Sequence, residues 1–583
     1  MGGLQARYPA LTRNAPAILM GVAAIVSVIV LLVLQSGLTF FQDEWNMVIH
    51  RTGFNAPAFF DPNDVHPVPL VVAIYKLCLA VFGMTSVGPE RVISVLLYAL
   101  TGILLFVYVR RRVGPWLALF PAVILLFLGP GANVLLWPFE MTLVGSLAAG
   151  IGALLALERD DGLGDFLACL LCVVALGCSS LGVSFALAAG VDVLLKWRRR
   201  GLWRLWVPAV PLVLYVIWYE TYGHKAPSAL SFSNVVGAPI YVAEAISSAL
   251  SSLLGLNTAT PTSEGFAHGT WGPALFVALL LLIGLWLARG RPQIRPQILV
   301  VGMAAGSFWI LSAFNYIPGR EPTASRYQYI GAAMIVLLLA EVFRGYRPGK
   351  WLVGGCALAT AIILVSNITP LKDELKFFEQ QSELARGELE ALEIARPDVE
   401  PTFVLGPEIA DTASLVPVDA ASYFAAVDAH GSPAASEAEL LELEPGVRKA
   451  VDNVLVHALG VSFETGVGDP VANSAGPAPA FVAGTPGVTG QGSCLRIAPG
   501  AAEAGLPMTL QGSTAIHVDA GSPATFGLWR FAPEAVLTNQ LEAGQTSLLT
   551  IPEDASPHPW QSYLTTAQGA TVCTEEVGAG SAG

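Results

Sequence analysis

The chain is written in long apolar runs separated by short charged or Pro/Gly-containing breaks, and its polarity changes abruptly near residue 370. Residues 16–34 form the first run, long enough for a helix across a hydrocarbon layer about 30 Å thick. Arg7 and Arg13 precede it and no carboxylate does. The positive-inside bias therefore predicts a cytoplasmic N-terminus, and with no small-residue cleavage site following, the run reads as an anchor. Runs at 90–109, 115–129, 140–157, 166–195, 203–219, 271–288, 297–315, 328–343 and 350–366 continue the pattern. The 166–195 run begins and ends beside cytoplasmic charge, which predicts a hairpin turning at Cys178-Ser179-Ser180-Leu181-Gly182. About eleven crossings result. Two further apolar stretches are expected to lie at the outer interface. For 68–83 the reason is that a crossing would carry Arg110, Arg111 and Arg112 outside. For 238–256, within the long loop 220–270, the reason is its amphipathic pattern.

Beyond Pro370 the periodicity changes. Residues 371–400 predict a densely charged helical stalk, and 401–460 read as mixed structure with a helix over about 436–459. Residues 479–575 alternate in short runs such as Thr514–Val518 and Thr525–Trp529, between Gly, Pro and Thr, which predicts a small β-sandwich. The expected architecture is a polytopic α-helical membrane domain over 1–370, with a first outer loop at 35–88. An extracytoplasmic α+β or β-sandwich domain over 401–583 follows the stalk.

Composition sharpens the division. Of 583 residues, 54% are hydrophobic and 13% charged, with a mean hydropathy of +0.60; soluble domains carry about 25% charged residues. Up to Pro370 there are 23 Lys+Arg against 16 Asp+Glu, and beyond it 8 against 28. The acidic part offers no basic surface, which excludes nucleic acid as a partner. Cys169 and Cys172 form a CxxC inside an apolar run with no nearby His, and are read as helix packing. Cys494 and Cys573 are the cysteines of the polar part, and an outside location predicts a disulfide between them.

Candidate chemistry concentrates on the outer side. Asp43 and Glu44 sit together just past the first apolar run, where a carboxylate is expensive beside lipid. One of them suits a general base toward an acceptor hydroxyl, and the alternative is a charged helix end. Asp61, Asp64 and His66 combine oxygen and nitrogen ligands at short spacing. They could hold a divalent cation, the one cofactor the sequence suggests, although turn chemistry at Pro62 and Pro67 explains them equally well. Six basic residues fall outside against the charge bias: Arg51, Lys76, Arg91, Lys225, Arg320 and Arg326. A bound lipid phosphate or pyrophosphate would account for them, as would snorkelling or pairing with Glu90, Glu220 or Glu321. Arg320 and Arg326 flank a short loop before Tyr327, and Glu321 is expected to hold the Arg320 charge. His224 and His268 are lone loop histidines, read as structural. Tyr423 and Gly431-Ser432-Pro433 suggest no chemistry.

These features resemble the GT-C glycosyltransferases, in particular protein O-mannosyltransferases and bacterial aminoarabinose lipid A transferases. The resemblance rests on the acidic pair Asp43-Glu44 after the first membrane helix and on His66-Pro67-Val68-Pro69-Leu70, where the family has a basic residue or His before Pro-Pro-Leu. It continues with Phe82-Gly83 and with Arg91-Val92-Ile93-Ser94 entering the second helix. Val68 departs from the family pattern. The match covers about residues 16–110 by motif and extends to about 370 by topology. It implies an interfacial helix in the first outer loop and sugar transfer, with inversion, from a polyprenyl-phosphate donor. Transfer would take place on the outer face of a bacterial plasma membrane, to an envelope glycan, lipid or protein. Asp43 would be the base, with Glu44 next. Arg326, Arg320, Lys225 and Arg91 would bind the donor phosphate, and His66 and Tyr327 the substrate. Two other classes also fit outer cations and acids: a transporter or flippase of lipid-linked glycan, and a non-catalytic envelope scaffold that binds glycan.

Overall fold

The computed structural model describes residues 9–574 apart from 228, 257–260, 263–264, 267–270, 289–294, 467–476 and 520. Arg7 and His268 lie outside the described residues. The chain divides into two compact units: residues 1–37, 50–82 and 87–379 form one, and 38–49, 83–86 and 380–583 form the other. The boundary falls inside helix Ile368–Ile394, so the stalk expected over 371–400 is shared between the units. Two pieces of the loop after the first helix belong to the C-terminal unit.

The first unit is helical, and the chain is a polytopic membrane protein. Among the described residues seven helices are long and apolar enough to cross a membrane: Asn14–Leu34, Gly88–Val113, Pro138–Leu157, Leu202–Thr221, Phe232–Leu253, Pro296–Phe314 and Lys350–Ile394. The pair Pro115–Leu126 and Gly129–Leu136, bent by 48°, makes an eighth if taken as one broken span. Several helices start on a proline, as at Pro115 and Pro296, where its missing N–H leaves no bond unmade. The hairpin turns where the sequence predicts, between Gly162–Cys178 and Leu181–Leu195. Its arms have 17 and 15 residues, about 25 and 22 Å at 1.5 Å per residue, short of a full hydrocarbon layer. Ser325–Val342 carries Arg326, Gln328 and Glu341 and falls short on composition. The count of eleven is thus reduced by short or polar helices. Pro69–Phe82, with 14 residues, has the length of an interfacial element.

One expected interfacial stretch forms a longer helix. The stretch 238–256 reads as amphipathic and interfacial, yet Phe232–Leu253 is 22 residues long and apolar enough to cross. Its polar stripe is made of serines, and Ser247, Ser248, Ser251 and Ser252 are buried. Ser247 donates to the Ala243 carbonyl (2.6 Å) and Ser252 to that of Ser248 (2.9 Å), so two of the four hydroxyls bond back onto the helix.

Ion pairs gather the basic helix ends that the charge bias places on one side. Arg111 meets Glu158 (2.8 Å), Lys196 meets Asp160 (2.8 Å) and Asp192 (2.9 Å), and Arg204 meets Asp165 (2.8 Å). Arg112 bridges Glu158 and the buried Glu341. Small residues let helices approach closely: a Cβ on Gly150 would lie 2.2 Å from the Phe185 ring.

Among its described residues the C-terminal unit has a helical part, a two-stranded pairing of Val404–Leu405 with Val418–Asp419, and two larger antiparallel sheets. The helix expected over 436–459 forms as Glu437–Leu440 and Pro445–Leu459, because Pro445 can only begin a helix here. One sheet runs in the spatial order Ser462–Thr465, Thr546–Thr550, Thr514–Val518, Ala570–Thr574, Cys494–Ile497, Val488–Gln491. The other runs Leu537–Leu541, Ala524–Trp529, Trp560–Thr566, Ala502–Leu510, Ala480–Phe481. Phe463 of the first and Phe526 of the second meet edge to face at 5.8 Å, so the sheets share a core. Cys494 and Cys573 stand opposite each other on adjacent strands and form a disulfide. The fully buried Asp452 accepts backbone N–H bonds from Arg530 (2.7 Å), Phe531 (3.0 Å) and Ala532 (2.9 Å), pinning helix Pro445–Leu459 to the sandwich.

Candidate functional site

The candidate residues fall into two groups, one in each unit. In the C-terminal unit, Asp43–Trp45 is a single helical turn that continues as a π-helical segment, Asn46–His50. Glu44 is fully buried, and its carboxylate turns back to accept the Phe41 N–H (2.9 Å). That geometry makes Glu44 a fastener of the turn. Asp43 is half-buried and accepts a bond from the Asn46 side chain (3.3 Å). Gln42, just before it, has φ +42°, a conformation that non-glycine residues adopt only when the surroundings enforce it. Trp45 is fully buried between Phe40 (5.5 Å between centroids) and Tyr423 (6.5 Å), which gives Tyr423 a packing role that the sequence did not suggest.

The second group lies in the helical unit. Asn63 and His66 close a tight turn through reciprocal backbone bonds (3.1 and 3.0 Å), which leaves Asp64 at φ +56°. Asp64 pairs with Arg320, and Arg320 also donates to the Asn315 carbonyl (3.1 Å). Glu321 does not take the Arg320 charge; it accepts the Gly319 N–H instead (2.8 Å). Arg326 donates to the Gly319 carbonyl (2.9 Å) and lies 5.5 Å from the Tyr327 ring centre, so the 319–327 loop is organised by both arginines. Lys225 pairs with Asp61 (2.6 Å), half exposed on both sides.

His66 meets the Ser180 hydroxyl at 2.5 Å, a partner at the hairpin tip that sequence reasoning overlooked. Burial, opposed by Asp64 and reinforced by Arg320 and Arg326, lowers the His66 pKa to about 4. The imidazole is therefore neutral at physiological pH and serves as a hydrogen-bonding group. Asp61 and Asp64 face different cations, and no group of three or more His, Cys, Asp or Glu that could hold a metal forms among the described residues.

The remaining candidates lie elsewhere. Arg91 is buried at the start of helix Gly88–Val113, beside Glu90. Arg51 donates to the carbonyls of Ala58 (3.1 Å), Asp61 (2.9 Å) and Pro62 (3.0 Å), and Lys76 to those of Arg51 and Gly53. Those two cations hold the 51–62 loop together, which explains their position without a bound anion.

The fold and these groups define a multi-pass helical membrane protein with a sheet-containing C-terminal unit. No family model matches the chain, and no curated protein matches it. Among solved structures, it is similar to that of ArnT from Cupriavidus metallidurans bound to undecaprenyl phosphate. That similarity is at 15% identity and a TM-score of 0.39, over 67% of this chain and 82% of the other.

Proposed function

We propose that the protein is an integral-membrane glycosyltransferase that moves a sugar from a polyprenyl-phosphate donor to a cell-envelope acceptor. The observation that carries this reading is the convergence of Arg320, Arg326, Asp64 and neutral His66, drawn from segments more than 250 residues apart. Arginines beside a neutral hydrogen-bonding imidazole suit a phosphate held at a lipid boundary, and Arg offers it a bidentate fork. In the proposed reaction Asp43 accepts the proton of the acceptor hydroxyl. The freed oxygen attacks the anomeric carbon, and the sugar–phosphate bond breaks with inversion. The bonding pair leaves on the polyprenyl phosphate, whose charge Arg326, Arg320 and Lys225 stabilise. His66 and Tyr327 contact substrate. The C-terminal unit is extracytoplasmic in this reading and the N-terminus cytoplasmic; the Cys494–Cys573 disulfide fits an oxidising compartment. The test is incubation of purified protein with radiolabelled polyprenyl-phosphate sugars, followed by scoring of label moved from the lipid to an acceptor fraction.

A further inference from the structure

We propose that the helical part of the C-terminal unit is a positioning device for the Asp43 carboxylate, with Gln381 and Ser382 as its fixing residues. This rests on the reading of Asp43 as the base. The segment leading into Asp43 is held at two points by residues about 340–370 positions downstream. At its start, the Thr39 N–H donates to the Ser382 hydroxyl (3.1 Å) in a buried setting. Next to the acid, the Gln42 N–H donates to the Ser414 carbonyl (2.6 Å) and the Gln42 side chain to that of Ala413 (3.3 Å). Behind that loop stands Gln381. Its side-chain oxygen accepts from the Thr412 hydroxyl (3.1 Å) and the Ala413 N–H (2.5 Å), and its carbonyl accepts from the Thr412 (3.1 Å) and Ser414 (3.3 Å) hydroxyls. Glu388 fastens the same loop through the N–H groups of Asp411 (2.6 Å) and Thr412 (3.3 Å).

The loop is thus fixed from behind, and it fixes Gln42 in turn. Gln42 needs such fixing, because its φ of +42° is strained for a residue with a Cβ and persists only where neighbours over-determine it. The strained residue adjoins the proposed base, whose reach is one short side chain. A base misplaced by about 1 Å costs on the order of 10²-fold in rate. A second grip lies at the other loop piece of this unit. The Met84 N–H donates to the His430 carbonyl (2.8 Å), and Gly83, at φ +72°, passes so close that a Cβ would lie 2.4 Å from that oxygen.

The experiment compares full-length wild type, Gln381→Ala, Ser382→Ala and Ser382→Thr by hydrogen exchange of the peptide spanning 38–49 and by turnover. Turnover is measured on whichever radiolabelled polyprenyl-phosphate sugar the wild type uses. Both alanine variants should speed exchange in that peptide at least tenfold while strands Cys494–Ile497 and Ala570–Thr574 exchange as before. They should also lower kcat at least tenfold at unchanged donor KM, and Ser382→Thr should restore both. Unchanged exchange in 38–49 overturns the proposal. So does faster exchange with unchanged kcat in a protein that Asp43→Asn inactivates. Turnover retained in Asp43→Asn overturns the base assignment itself, whatever the exchange shows.

Discussion

At the scale of single residues, Arg320 and Arg326 hold the 319–327 loop in different ways. Arg320 is 8% exposed, bound to Asp64 and to a carbonyl, whereas Arg326, at the head of helix Ser325–Val342, is half-buried, donates to the Gly319 carbonyl and lies beside Tyr327. Arg326→Ala should therefore weaken donor affinity about tenfold with little change in melting temperature, and Arg326→Lys should fall between, as a point charge without the fork. Arg320→Ala should lower the melting temperature as well, because it removes charge-assisted bonds worth about 1.5–3 kcal/mol each. Donor titration and thermal melts of the same variants separate the roles; equal melts would merge them. His66 gives a pH test. Its folded pKa of about 4 lies below the ordinary 6.5, so the unfolded chain binds the extra proton first. That contribution to stability is complete above about pH 6.5 and is lost as pH falls toward 4. Melting temperatures of wild type and His66→Gln should run parallel above pH 7 and converge below it. A constant offset across that range would show that His66 titrates alike in the folded and unfolded chains, contradicting the lowered pKa.

At the scale of elements, the period and length of apolar runs made most helices legible, and the break at Cys178–Gly182 made the hairpin legible. Phe232–Leu253 begins six residues before the stretch that its amphipathic pattern marked, and two of its buried serines, Ser247 and Ser252, bond back onto carbonyls of their own helix. The role of Glu44 was hidden: a carboxylate turned back onto the Phe41 N–H looks, in sequence, like its neighbour Asp43. The strands of 479–575 were legible from alternation, and their pairing places Cys494 opposite Cys573. The disulfide closes a separation of 79 residues, which in the chain-entropy model stabilises the fold by about 4–5 kcal/mol. Full-length protein melted with and without reductant should show a large downward shift for the sandwich, and non-reducing peptide mapping should find the linked pair. Free thiols at both positions in protein taken from cells would contradict both the stabilisation and the extracytoplasmic reading.

Across the whole molecule, two units with different solvents were legible from charge and hydropathy, but their boundaries were not. Residues 38–49 and 83–86 look like pieces of a membrane loop, yet they fold with residues 380–583. The contacts responsible, such as Thr39 with Ser382 and Met84 with His430, join positions 343 and 346 residues apart, and several run through backbone groups that carry no side-chain signature. Gly83, part of the Phe-Gly motif, has its explanation there, in the approach of the His430 carbonyl. The central claim, sugar transfer with Asp43 as base, meets its most direct test in one paired measurement. Wild type and Asp43→Asn are each incubated with radiolabelled polyprenyl-phosphate sugars. The wild type should move label from lipid to acceptor, and the nearly isosteric variant should bind donor equally well but turn over about 10²–10⁴ times more slowly. Equal turnover in the two proteins, or transfer by neither across the donor panel, would contradict it.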